Sequence, residues 1–518
     1  MMPLEGGPAD DAALEPGARQ TQQRQQADAL VGAPAGVDGL TALALAYLAL
    51  PNLIFLFGWL RLPIALLLCS AMIYFIARVF RPWPAVWRSQ HARSAVVLLV
   101  LTSCAWAAFG GGSHFMHANA DWYIRDAVLG DLVNAEWPVH YLAADGTALI
   151  LRSAIGYFLP LAVFGKLFGL AHLDLAVYAW TTFGVLIFLL MLPLPGRAGW
   201  RLAVALLLVV FFSGMDFLGQ IIATESMPLF PLRLEWWVPM SYPSLTNQLL
   251  WAPNHCLPIW IATVVFLRHL NGAELFRVTV ALLPLTLIWT PFAAMGLLPF
   301  AVLGAAKYQR RFGGQSLPWS SIVAAAAFSL PIALFLLLDT GNIESTLATV
   351  PPAAPVNYPL QAASLHLYAL FVSCEFLFLT LVLAPHVRDS RAEFWLAVIV
   401  LLALPLIRFG PSNDLGLRLS TTPLLVLLVI CVQTLLAPGR LAAPSSLWVA
   451  CLFLLAGAHT AFNEFWRAAT FHRSPADYHY TLADRQGGQA AAHYVGRLGT
   501  ATLPNWMKPL PAPYSREK

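Results

Sequence analysis

The feature that most limits what this chain can fold into is its succession of apolar runs. Many of them reach the roughly 20 residues that a helix needs to cross a bilayer core. Of the 518 residues, 59% are hydrophobic and only 11% are charged, against roughly 25% charged in a soluble domain; mean hydropathy is +0.68. The reading is an all-α, polytopic membrane protein. Candidate spans fall at 39–57, 60–80, 94–111, 174–194, 200–219, 249–268, 277–291, 293–306, 317–338, 365–385, 393–408, 419–437 and 445–462, thirteen in all.

Orientation follows from Lys and Arg in the short loops, which favour the cytoplasmic side. Arg78, Arg81, Arg88 and Arg93 share one loop, and Arg197 and Arg201 another. Arg268 with Arg277, Lys307 with Arg310 and Arg311, and Arg388 with Arg391 mark three more. Placing all of these inside gives one threading, with the N-terminus cytoplasmic and the tail 463–518 outside. That threading leaves no room for the apolar run Ala148 to Gly169 to cross. It is expected instead as an amphipathic or re-entrant helix on the outer face, with Arg152 and Lys166 among the headgroups. The outward side then holds loops 112–173, 220–248, 339–364 and 408–418.

Several classes are excluded or weakened. The net charge of +4 is spread over short loops, which gives no patch for nucleic acid. The six cysteines lie in or beside apolar runs without CxxC spacing, as packing residues do. No GxxxxGK[ST], GxGxxG or HExxH motif and no Cys/His cluster is present, so neither a cofactor nor a metal is expected. Residues 1–38, with QTQQRQQ, are too polar to build a core and are expected as a disordered cytoplasmic tail. The C-terminal tail lacks apolar periodicity and reads as a small cap or as disordered. No internal repeat is detectable, which lowers the expectation of an inverted-repeat transporter.

Against this apolar background one segment stands out. His117 to Tyr141 packs Asp121, Asp126, Asp131 and Glu136 just after an apolar run. Acids beside a bilayer are costly unless they face water, a partner or a substrate. The stretch Asp121 to Asn134 suits a short interfacial helix, on which Asp121 and Arg125 are four apart and share a face. Asp121 is then either a general base for an acceptor hydroxyl or simply the helix N-cap.

Further along, Arg408 and Arg418 flank a turn built on Gly410, Pro411, Asn413 and Asp414. Guanidinium groups there either hold a phosphate or snorkel to headgroups. In Trp251 to His255, prolines and the Asn254–His255 pair open a helix at the outer surface, which puts His255 in a cavity or leaves it as an interfacial histidine. Glu375 lies mid-span and should be paired or neutral. Lys166 and His366 are weaker oddities of that kind.

With these residues laid out, the chain resembles the GT-C class of glycosyltransferases, multi-span enzymes that use polyprenyl-phosphate-linked sugars. The likeness rests on the acidic first outer loop, the outer-face PLAVFGKLFG helix, about a dozen spans and the late Arg-bearing loop. It is strongest toward bacterial members with a DW…R…DL…WP pattern, here Asp121, Trp122, Arg125, Asp131, Leu132, Trp137 and Pro138, and it covers roughly residues 40–462. WAPNH and NDLGLRLS are similar to further blocks of that group.

The resemblance implies an inverting transfer at the outer face of a bacterial inner membrane, from a polyprenyl-phosphate-sugar to a glycan or lipid acceptor of the envelope. Its catalytic aspartate maps onto Asp121. Arg408 and Arg418, helped by Lys166, would hold the donor phosphate, with Arg125, Asp131, Asn254, His255 and Asp414 lining the cavity. Where many members carry paired acids, Asp121 is followed by Trp122, so the base stays open between Asp121 and Asp126. The separated acids imply a metal-independent reaction. A transporter or lipid-linked glycan flippase is the alternative, favoured if charged residues gather in mid-membrane. An envelope polymerase or ligase is a third reading, set back because its main loop usually comes late.

Overall fold

The computed structural model describes residues 37–80, 93–143, 145–194, 199–228, 234–235, 237–238, 240–312, 319–342, 345–347, 365–409, 413–436, 445–485, 493–498 and 504–515. The expected tail 1–38 lies almost wholly outside them, as does most of the loop 339–364. Gly36–Lys518 forms one compact unit.

The chain is mostly helical. Among the described residues eight helices are long and apolar enough to cross a membrane: Gly39–Trp59, Leu62–Val79, Leu170–Met191, Trp200–Thr224, Pro291–Phe312, Trp319–Leu336, Leu365–His386 and Asp414–Leu436. Several polar groups inside these helices find backbone partners, as buried polar atoms usually do. Asn52 Nδ2, for example, donates to the carbonyls of Leu48 (2.9 Å) and Leu285 (2.8 Å).

Short strands add to the helices where an all-α fold was expected. Strands β1 (His140–Leu142), β2 (Ala148–Leu151) and β5 (Val495–Arg497) form an antiparallel sheet in the order β1-β2-β5, with His140 opposite Ile150 and Ile150 opposite Gly496. Strands β3 (Ser345–Leu347) and β4 (Ile407–Phe409) form a second antiparallel pair. The apolar run Ala148 to Gly169 is therefore broken. Its start is β2, and the remainder is the helix Phe158–Phe168, about 16 Å long at 1.5 Å per residue and too short to span.

The C-terminal tail is tied down rather than loose. Besides β5, Arg61 donates its N–H to the Trp506 carbonyl, Lys508 donates to Trp59 and Tyr514 donates to His140. These are main-chain bonds, which need no side-chain pattern, so the polar composition of the tail gave no sign of them.

Buried ion pairs and cavity residues mark two ends of the helix bundle. At one end Arg268 pairs with Asp38, the N-cap of the first helix, and Lys307 pairs with Glu393. Three helices run from there to the other end. Gly39–Trp59 arrives beside the tail, Pro253–His269 carries His255 at its far end, and Pro291–Phe312 carries Phe292 against Arg418. The basic residues Arg268, Lys307, Arg310 and Arg311 thus lie at the end away from the tail.

Candidate active site

The tail-side end holds a cavity of about 460 Å³. Three elements and the tail build it. The first is the interface helix Ala120–Asn134. Asn119 caps it, accepting from the Asp121 N–H at 3.1 Å. Because Asn119 does the capping, the Asp121 carboxylate is free to face the cavity, where it accepts from Arg125 Nη2 at 3.0 Å.

The indole of Trp122 seats this helix. It donates to the Leu250 carbonyl at 3.1 Å and lies flat on Gly111 and Gly112, where any Cβ would come within 2.3 Å and 2.2 Å of the ring. Glycine is required there for close approach.

The second element is the short helix Leu245–Trp251, whose Asn247, Gln248 and Trp251 line the cavity. Each is held from behind. The Asn247 amide donates to Glu235, and Trp251 Nε1 donates to Glu464 at 2.9 Å. Gln248 Oε1 accepts from Trp260 (3.0 Å) and Thr421 (3.1 Å), and its amide donates to the Pro243 carbonyl at 2.7 Å. His255 follows one turn later in the Pro253–His269 helix and also lines the cavity.

The third is the turn of helix Asp414–Leu419, capped by Asn413 in the left-handed region (φ 51°). Arg418 donates to Asp414 Oδ1 through Nε (3.2 Å) and Nη2 (2.7 Å), with its guanidinium over the Phe292 ring. Both residues line the cavity, and so do His493 and Tyr494 of the tail.

Two Arg–Asp pairs, each four residues apart on its own helix, thus face one space. Exposed pairs of this kind stabilise by only about 0.2–1 kcal/mol, but Arg125 is 5% exposed and its Nη1 has no hydrogen-bond partner among the described residues. A buried donor left unmet costs about 1–3 kcal/mol, which an anionic oxygen in the cavity would relieve. The Nδ1 of His255 is in the same position.

The structure brings Asp121, Arg125, His255, Asp414 and Arg418 together. It does not bring in the other expected site residues. Asp126 is buried away from the cavity and paired with His114 Nε2 at 3.1 Å. Burial raises its carboxyl pKa. Burial works most strongly against the His114 imidazolium, but the hydrogen bond and charge of Asp126, with the Ser474 carbonyl and the Asp174 charge, together outweigh it and raise the histidine's pKa. Asp131 is fully buried and accepts from Tyr141 (2.7 Å) and the Leu482 N–H (2.9 Å), a structural role.

Lys166 does not line the cavity either. It donates to the carbonyls of Val133 (3.0 Å) and Ala135 (2.6 Å), closing the C-terminal end of the interface helix. Asn254 is buried behind the cavity wall, next to His255 but outside the lining. Arg408 falls in β4 opposite Thr346, with its side chain outside the described residues.

Sequence reasoning passed over several polar lining residues, among them Thr421, Asn247, Gln248, His493 and Tyr494. Asn247 and Gln248 sit as adjacent amides at the start of an apolar run, a signal that was there to read. His493 and Tyr494 had none.

Behind the second wall lies a group of buried acids. Asp216 accepts from Ser213 (3.3 Å), Trp237 (3.1 Å) and Thr460 (3.0 Å), and the Glu375 carboxyl lies against it. Glu235 and Glu464 are nearby, the latter paired with Arg467 at 2.8 Å. Glu375 sits in a π-turn, Ser373–Leu377, a distortion often found where a helix presents a functional side chain.

Comparison with protein-family models finds no match, and neither a curated protein nor a solved structure matches the chain.

Proposed function

We propose that this chain transfers a sugar from a polyprenyl-phosphate-linked donor to an envelope acceptor, with inversion, at the outer face of a bacterial inner membrane. The observation that carries the reading is the cavity in which Asp121 meets Arg125 and Arg418. A carboxylate beside two guanidiniums suits displacement of a phosphate by a hydroxyl, with a base for the hydroxyl proton and fixed positive charge for the leaving group.

Asp121 takes the proton of the acceptor hydroxyl as its oxygen attacks the anomeric carbon. The bond from that carbon to the phosphate oxygen breaks, and the lipid phosphate leaves with the electron pair. Arg125 Nη1 and the remaining donors of Arg418 meet the charge that develops there without reorganising. Arg125 takes the phosphate-holding part that the resemblance gave to Lys166. Confinement of both substrates in one space lowers the entropic cost of their meeting.

The thirteen-span threading belongs to this reading. Its support is that Arg268, Lys307, Arg310 and Arg311 share the end away from the cavity. Positive charge marks that end as cytoplasmic, which makes the cavity and the C-terminal tail periplasmic.

Asp121→Asn should lower transfer in reconstituted membranes by about 100- to 10,000-fold, the range for loss of a general base, with expression unchanged. Asp126→Asn should retain transfer. Loss in Asp126→Asn alone moves the base, and activity in both variants ends the proposal.

A transporter or flippase is the second reading, and the buried acids Asp216, Glu235, Glu375 and Glu464 favour it, since acids inside a helical bundle often mark a translocation path. Movement of a labelled lipid by the Asp121→Asn protein would support it over transfer.

A further inference from the structure

The tail contributes a side chain to the cavity that neither the sequence pattern nor the resemblance points to. Tyr494 precedes β5 and is fixed by its backbone: its carbonyl accepts from the Arg152 N–H at 2.8 Å, and β5 then pairs with β2 from Val495 onward. The ring stands beside the His493 imidazole at 4.5 Å. From there the phenol lies within electrostatic reach of all four members of the two ion pairs, Asp121, Arg125, Asp414 and Arg418. Its hydroxyl makes no hydrogen bond to a described residue, although the side chain is half-buried and lines the cavity. Burial keeps the phenol protonated, so it is a donor.

We propose that the Tyr494 hydroxyl is a substrate contact, donating a hydrogen bond to the phosphate oxygen held between Arg125 and Arg418, so that the C-terminal tail completes the binding site. The inference rests on the lipid-phosphate reading of the cavity. Its support is geometric: Arg125 of the helix Ala120–Asn134, Arg418 of the late turn and Tyr494 of the tail line one cavity, two cationic donors and one neutral donor from three separate parts of the chain.

Removing one hydrogen bond to a charged group costs about ten- to a hundredfold in affinity. The test measures binding of a long-chain polyprenyl phosphate to the full chain in lipid nanodiscs, for wild type, Tyr494→Phe and the surface control Tyr480→Phe. Tyr494→Phe keeps the ring and every backbone bond, so it should bind at least about tenfold more weakly with an unchanged Tm, while Tyr480→Phe binds as wild type. As a second measurement, polyprenyl phosphate should protect Tyr494 of the wild-type protein from nitration by tetranitromethane, read by peptide mass. Equal binding by Tyr494→Phe, or nitration unaffected by the lipid, overturns the role of Tyr494 and leaves the transferase reading standing. Failure of the wild-type protein to bind the lipid phosphate overturns that reading, and this inference with it.

Discussion

Three acids of the segment His117 to Tyr141 have three different fates, and burial and neighbours decide them. Asp121 keeps a half-exposed carboxylate at the cavity because Asn119 caps the helix in its place. Asp126 spends its charge on His114, and Asp131 holds Tyr141 and the Leu482 N–H. Asp131→Ala should therefore act on stability and not on chemistry. It orphans two buried donors at about 1–3 kcal/mol each, which a lower Tm with normal turnover per folded molecule would show. Reduced turnover at an unchanged Tm would mean that Asp131 belongs to the site. The order of these acids was legible in the sequence, and so was the four-residue spacing that joins Asp121 to Arg125. Which acid turns inward was not, because that depends on His114 and on tail residues more than 300 positions away.

The elements show the same limit. The interface helix follows from its polar pattern, but its depth is set by Gly111 and Gly112 beneath the Trp122 ring. Gly112→Leu should push the ring away and cost about 1–3 kcal/mol through overpacking. It should also lower activity more than Asp131→Ala does, because the displaced helix carries both Asp121 and Arg125. Equal activity in the two variants would separate the helix seat from the site. The run Ala148 to Gly169, kept from crossing in the sequence reading on the charge of later loops, holds an 11-residue helix and a short strand. Its division into β2 and the Phe158–Phe168 helix was not legible, since both partners of β2 are three-residue strands, one of them in a tail without periodicity. Short main-chain pairings of this kind leave no hydrophobic signature.

At the scale of the molecule, helices join a basic end to an end that holds the cavity, the sheet and the tail. The eight long apolar helices were legible from composition alone. The gathering of Asp216, Glu235, Glu375 and Glu464 was not, because only Glu375 stands out along the chain. The deciding quantity is the place where a lipid phosphate sits. An experimental structure of the full chain with a long-chain polyprenyl phosphate measures this most directly. Phosphate density within hydrogen-bond distance of both Arg125 and Arg418, facing Asp121, is the result the account predicts. Phosphate density at the Asp216–Glu375 side, or at the basic end near Arg268 and Lys307, would contradict it.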